Sequence, residues 1–321
     1  MATPRDALRF PCQRVLLART RLAYVHLRNL LTDAKRDRAA RVFGYVGIWL
    51  PDEFLLLYLQ EGEVVNATAT TDALRWRAIP ISEALGRVPA AAEYGEICFH
   101  EADDEQLAAM HADQVSDTPQ PAPDTQWADP AHVLGALAAV MHDGLLALDE
   151  GGAQHYVMLR MGAPVRGFFV DDAAATAEFR VRDLLSRRGA ALRPRLYGVP
   201  RSLPQQAPPA LIAMYREMSA ALVHRLTALG VPEAPLLAEQ TRQYLAPRYP
   251  VLERFSLSVP NPRDPVTDAP TLSAAMGAWL SGVVAGQGAA AATIVRDLTR
   301  DRRHVLQSTG FFDALPWKLQ W

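Results

Sequence analysis

The chain of 321 residues has only two cysteines, Cys12 and Cys98. Two thiols cannot form a disulfide framework or a cysteine-based zinc site. Lysine is equally scarce: Lys35 and Lys318 are the only two, so arginine carries almost all the positive charge. With abundant alanine and proline, this is the usage of a GC-rich coding sequence. No window reaches the roughly 18 uninterrupted apolar residues of a membrane-crossing helix. Arginines interrupt the first 21 residues throughout, so they lack the apolar stretch of a secretory signal. The expected location is the cytoplasm, with a peripheral position at the inner membrane as the variant. Motifs for a phosphate cradle (GxxxxGK[ST], or GxGxxG after a strand), a nucleophile elbow (GxSxG) and a zinc protease (HExxH) are all missing. The sequence therefore reads as a non-enzyme, with no catalytic residue, cofactor or metal ligand to assign.

What is present is an uneven charge distribution. The formal net charge of −2 is the sum of +7 over residues 1–45, −13 over 46–130 and +4 over 131–321. There is thus no global case for nucleic-acid binding. A basic arm precedes an acidic region, and the two either neutralise each other or meet an anionic membrane or an acidic partner.

Two proline-rich stretches, 116–130 and 201–209, read as linkers, because proline fixes φ and removes a donor. They divide the chain into 1–115, 131–200 and 210–321. The first two parts repeat each other at an offset of 100. Gly44 to Gly62 spans the same distance as Gly144 to Gly162. Ile48 faces Leu148, Leu57 faces Val157, Leu59 faces Leu159 and Val65 faces Val165. Further on, Ile81 and Leu85 face Val181 and Leu185. Each copy predicts a short helix (Val25–Ala40; His132–His142), a glycine stop, and two strands such as Tyr45–Leu50 and Phe54–Gln60. A glycine turn then leads to a third strand (Val64–Ala67; Val165–Val170) and a closing helix (Ser82–Val88; Phe179–Arg187). The first copy adds a short strand, Gly95–His100. The expected fold class is α+β: two tandem small modules followed by a helical bundle.

The run FLLLYLQEGEVVNATATTDA, followed by ISEALGRV and YGEICFHEA, resembles the bacterial domain family DUF4388, also called PATAN. Gly62, Val64, Val65 and Ala67 match its first signature, and Gly95, Ile97 and Phe99 its second. The second copy keeps Gly144, Gly162 and Val165, has Gly167 in place of the alanine, and lacks the closing glycine-to-phenylalanine signature. The resemblance covers residues 20–112 and, in diverged form, 130–200. It implies a non-catalytic protein-interaction module of bacterial signalling or assembly systems, and it carries over no catalytic residue.

The third part reads as helices over Ala210–Leu229, Ala234–Ala246, Thr271–Ala285 and Gly288–Ser308, enough for a small bundle. Two leads remain. In the arm, Arg9, Arg14, Arg19, Arg21 and Arg28 alternate with apolar residues. They predict an amphipathic helix that docks on the acidic module or contacts a partner or an anionic membrane. At the end of the sequence, Phe311, Phe312, Trp317 and Trp321 crowd into an apolar tail that must bury itself. It either folds back on the bundle or anchors in a partner's groove or at a membrane interface. His100 and His111 lie near Glu101, Asp103, Asp104 and Glu105, but these acids lack ligand spacing and read as a solvated face. Cys98 reads as a small buried hydrophobe.

Together these features predict a scaffold or assembly protein whose partners are other proteins, in a multi-subunit complex. Two alternatives stand: a membrane-extrinsic subunit stabilising an energy-transducing or photosynthetic membrane complex, and a small-ligand sensor or signalling enzyme.

Overall fold

Apolar and β-branched runs bounded by glycine, proline and aspartate turns build two antiparallel sheets, and proline-started helices build a bundle. The computed structural model describes residues 4–36, 41–89, 93–116, 118–121, 127, 129–171, 175–188, 191–257, 259 and 263–321. The chain is α+β, with two tandem modules and a C-terminal helical bundle.

Module 1 contains β1 (Arg14–Arg21), α1 (Leu27–Arg36), β2 (Gly44–Trp49), β3 (Phe54–Gln60), β4 (Glu63–Thr70), β5 (Trp76–Ala78), α2 (Ile81–Arg87) and β6 (Glu96–Glu101). Its strand order is β1-β6-β2-β3-β4-β5. Next come α3 (Asp104–His111) and a π-helical turn, Ala112–Ser116. Module 2 contains α4 (Pro130–Ala139), β7 (Gly144–Glu150), β8 (Ala153–Arg160), β9 (Ala163–Phe168), α5 (Ala177–Arg188) and β10 (Arg193–Tyr197), in the order β10-β7-β8-β9.

The repeat is structural to the level of single hydrogen bonds. Gly44 pairs with Leu59 and Gly144 with Leu159, and both copies carry a bulge at the same place, between Tyr58 and Leu59 and between Met158 and Leu159. The following turns have left-handed residues at Glu61 and Gly62 (φ 51° and 77°) and at Met161 and Gly162 (51° and 76°). Two positive φ values define the turn that best matches strand twist. The glycine N–H donates to Val42 in one copy (2.7 Å) and to His142 in the other (2.8 Å). A Cβ at Gly62 would lie 2.3 Å from the Ala34 carbonyl oxygen, and one at Gly162 would lie 2.4 Å from Ala138 backbone. The turn is glycine because the preceding helix packs directly against it.

Three sequence expectations need correction. The basic arm is not a helix. Residues Arg14–Arg21 form strand β1, antiparallel to β6, where Arg14 lies opposite Glu101 and Arg19 reaches Glu96 as a second cross-strand ion pair, so β6 offsets the arm's charge. Module 2 does have a closing strand, β10, which pairs with β7 as β6 pairs with β2. Its Pro194 is tolerated because β10 is an edge strand. The helix expected over Gly288–Ser308 breaks into α9 (Ala290–Thr299), a 3₁₀ turn (Arg300–Arg302) and α10 (Arg303–Ser308). Thr299 Oγ1 back-bonds to Val295 O at 2.8 Å at the break, a contact that bends helices. The expected end of α1 at residues 37–40, and much of the 116–130 linker, lie outside the described residues.

The two modules do not have separate cores. Tyr45, Trp49, Phe54, Leu56 and Tyr58 of module 1 share one cluster with Leu145, Ala147, Tyr156, Met158 and Tyr197 of module 2 and with Leu107 and Met110 of α3. The other face of module 2's sheet buries Leu146, Leu148, Val157 and Leu159 against Val133 and Leu137 of α4 and Val181 and Leu185 of α5. With both faces covered, the strands are near-continuous apolar runs. Each fully buried leucine or phenylalanine contributes roughly 1.5–3 kcal/mol before ordering costs. Accordingly, the chain divides into a first unit of Met1–Ile79 with Ala84–Pro204 and a second of Pro80–Glu83 with Gln205–Trp321. Residues up to Pro204 belong to the first unit: Leu203 is in its core, and Asn66 Nδ2 donates to Pro204 O at 2.8 Å.

In the second unit, α6 (Pro209–Ala228), α7 (Ala234–Leu245), α8 (Ala269–Val284), α9 and α10 enclose Tyr215, Leu222, Leu272, Trp279, Val283 and Ile294. The apolar tail folds back onto this core. Phe311 is fully buried, its ring 5.9 Å from that of Tyr215, and Gly277 of α8 leaves room for the tail at Ala314.

Candidate functional site

The deepest polar cluster lies between the two sheets, where the π-helical turn projects consecutive side chains to both. Gln114 accepts from Tyr58 and Thr68 of module 1, each at 2.7 Å. Asp113 accepts two hydrogen bonds from Arg195 of β10 (2.7 and 2.9 Å) and one from the Tyr197 hydroxyl (2.9 Å). Burial disfavours the Arg195 charge, yet the hydrogen bonds and charge of Asp113 more than offset it, and its pKa is raised. Burial likewise raises Tyr58, Tyr156 and Tyr197, keeping all three phenols protonated. A charged arginine and protonated phenols around one carboxylate hold the modules in register, and no member is a nucleophile beside a base. His111 in α3 is driven down to about 4 by burial.

The ends of the strands repeat this joining at the surface. Arg166 of β9 ion-pairs with Asp103 and Glu105, and Gln13 Nε2 also donates to Asp103 at 2.8 Å. These acids lie at the surface, as the sequence reading has them, and Asp103 and Glu105 also join module 2 to module 1. The N-terminal segment crosses both: Arg9 N donates to Gly152 of the β7–β8 turn, and Gln13 N donates to Glu101 of β6. Leu8 and Phe10 are buried in the shared core.

Beside this segment lies an apolar cavity of about 320 Å³, lined by Phe10, Cys12, Tyr45, Trp49, Cys98 and His100 among others. The Tyr45 hydroxyl stands 2.8 Å from His100 Nδ1. Burial pushes the Cys98 thiol up to about 11, so it is an unreactive apolar side chain. Among the described residues, no group of three or more histidine, cysteine, aspartate or glutamate side chains could hold a metal ion, and no helix is long and apolar enough to cross a membrane.

The surfaces of the two modules differ at the repeat's own turn. In module 1, Arg41 ion-pairs with Glu61. The residues at the same places in module 2 are Met141 and Met161, 61% and 58% exposed. The turn of module 2 folds onto the same neighbours: Met161 N donates to Asp143 Oδ1 at 2.5 Å and Gly162 N to His142 O. Val140 and Val165, also on this module, are exposed as well. An ion pair in one copy is thus an exposed methionine pair in the other, a chemistry that suits adaptable apolar contacts. The offset of 100 contained this signal, but sequence reading aligned the shared residues and not the exchanged ones.

The residues singled out in the sequence are dispersed. Arg14 and Arg19 are held by Glu101 (2.7 Å) and Glu96 (2.5 Å), and the Arg19 guanidinium lies 4.0 Å from the Trp49 ring. Arg9, Arg21 and Arg28 are exposed. Phe311 is a core residue and offers no contact surface. Phe312 and Trp317 pack partly against the same core, and Trp321 meets Phe312 edge to face with Arg303 over its ring. No family model matches the chain, and neither does any curated protein or solved structure.

Proposed function

We propose that this protein is a non-catalytic assembly protein, in which the two modules form one rigid body and the methionine end of module 2 grips a protein partner. The observation that carries this reading is the exchange of the Arg41–Glu61 ion pair for exposed Met141 and Met161, beside glycine turns with matching φ values. Exposed methionines suit an adaptable apolar contact with a partner surface. The resemblance of module 1 to DUF4388 agrees with an interaction role, and so does the structural employment of the buried ionisable groups.

A photo-cross-linking residue at position 161, introduced into the full chain in its own cells, tests this reading. It should give one discrete cross-linked protein species, whereas the same residue at position 61 should give little. Equal, diffuse products from both positions would overturn it.

The membrane-extrinsic alternative draws on Arg21, Arg28 and the half-exposed Trp321, but not on Phe311, which the bundle occupies. Flotation with vesicles containing one-third anionic lipid tests it directly, and a chain that stays at the bottom of the gradient rejects it.

A further inference from the structure

A cavity of about 510 Å³ lies in module 2 between the β7–β8 hairpin and α5, with Arg9 at its wall. That volume suits a small organic molecule. Two polar side chains lining it are more than nine-tenths buried, and each has a donor without a partner: His155 Nε2 and Arg180 Nε. The histidine's other nitrogen fixes its tautomer. Val170 N donates to His155 Nδ1 at 3.3 Å, so the ring proton sits on Nε2. The nearest carboxylate oxygen, Glu150 Oε2, is 3.7 Å from Nε2, beyond hydrogen-bond distance. Arg180 spends its terminal nitrogen on Asp171 (2.6 Å) and lies 5.0 Å from the Phe169 ring, leaving Nε–H unused. Two orphaned donors in one cavity require an acceptor, because a buried donor without a partner costs roughly 1–3 kcal/mol.

The charges around the cavity say what kind of acceptor fits. Each lining carboxylate already has an arginine: Glu150 has Arg188, Asp171 has Arg180, and Asp183 has Arg187. Arg9 is the fourth lining arginine, against three carboxylates, so the cavity carries one positive charge in excess. We propose that this cavity binds a small molecule through one oxyanion group, a carboxylate or a phosphate, which accepts from His155 Nε2 and Arg180 Nε while its organic body lies against Phe169. This ligand site is independent of the assembly role, and the methionine turn takes no part in it.

The test uses the full-length chain labelled with ¹⁵N-histidine, titrated with inorganic phosphate and separately with acetate, with chloride holding the ionic strength constant. His155→Phe identifies the resonance and keeps the ring volume. The expected result is a saturable shift of the His155 Nε2–H signal with at least one anion. Calorimetric affinity for that anion should fall about tenfold in His155→Phe and in Arg180→Lys, the loss of one hydrogen bond to a charged group. No saturable shift with either anion, a shift confined to other histidines, or unchanged affinity in both variants would overturn the proposal. The wild-type titration stands even if a variant fails to fold.

Discussion

The two modules share a turn down to its dihedral angles and yet present opposite surfaces on it. Glu61 and Met161 have the same φ, Gly62 and Gly162 make the same hydrogen bond, and both turns press on the preceding helix. Backbone geometry is therefore held by the glycines and by helix contact, independently of the side chains that the turn displays. This freedom lets one copy close its surface with an Arg41–Glu61 ion pair while the other leaves Met141 and Met161 exposed. The repeated frame is common to both copies, and the exchanged pair is where their surfaces part.

The comparison breaks first if the frame itself is broken. Asp113→Ala would strand the Arg195 charge and the Tyr197 hydroxyl between the sheets. The expected loss is about 3 kcal/mol, the lower end for a buried pair because Arg195 is partly exposed. Arg166→Met, which removes only the surface clamp to Asp103 and Glu105, should cost under about 1 kcal/mol. Urea unfolding of the first unit distinguishes the two. Equal effects would mean that the buried cluster does not hold the modules together.

Acid offers a second lever, this time on module 1's side of the junction. His111 is held neutral by burial, with a pKa of about 4 against 6.5 in the unfolded chain. The unfolded state takes up the proton first, so its contribution is complete above pH 6.5, shrinks as pH falls, and is gone near pH 4. Up to roughly 3 kcal/mol is at stake over that window. His111→Phe should flatten that part of the stability profile, as measured by denaturant titration at each pH.

The equivalence of the turns is sharpened by Gly62→Ala and Gly162→Ala. Each adds a Cβ 2.3–2.4 Å from backbone at positive φ, so each should destabilise by about 2 kcal/mol, with the two losses within ~1 kcal/mol of each other. A large loss at one and none at the other would show that the turns are not under the same constraint.

The sequence disclosed the repeat because its anchors are glycines at fixed spacing, and glycine is required wherever backbone approaches backbone. Gly44 would clash with His100 O, and Gly144 with Tyr197 O, if either carried a Cβ. Strand β10 stayed hidden because RPRLY contains a proline and two arginines, which suit an edge strand but resemble a loop. Strand β1 was disguised by the arginines that its pairing with β6 neutralises. The Asp113–Arg195–Tyr197 cluster was illegible, since its partners lie more than eighty positions apart and only the packing of one sheet on the other unites them. The cavity at His155 was hidden because its strand and helix residues meet only when α5 packs beside the β7–β8 hairpin.

The smallest expected change in stability is also the most telling for function. In the double variant Met141→Arg, Met161→Glu, module 2 receives the charged pair that module 1 carries, at exposed positions, and stability should move by less than about 1 kcal/mol. Quantitative co-purification of the protein that cross-links at position 161 then measures the central claim. Its recovery should collapse with the double variant and persist with Arg41→Met, Glu61→Met. Undiminished recovery with the folded double variant would contradict the assignment of the methionine turn as the partner-binding end.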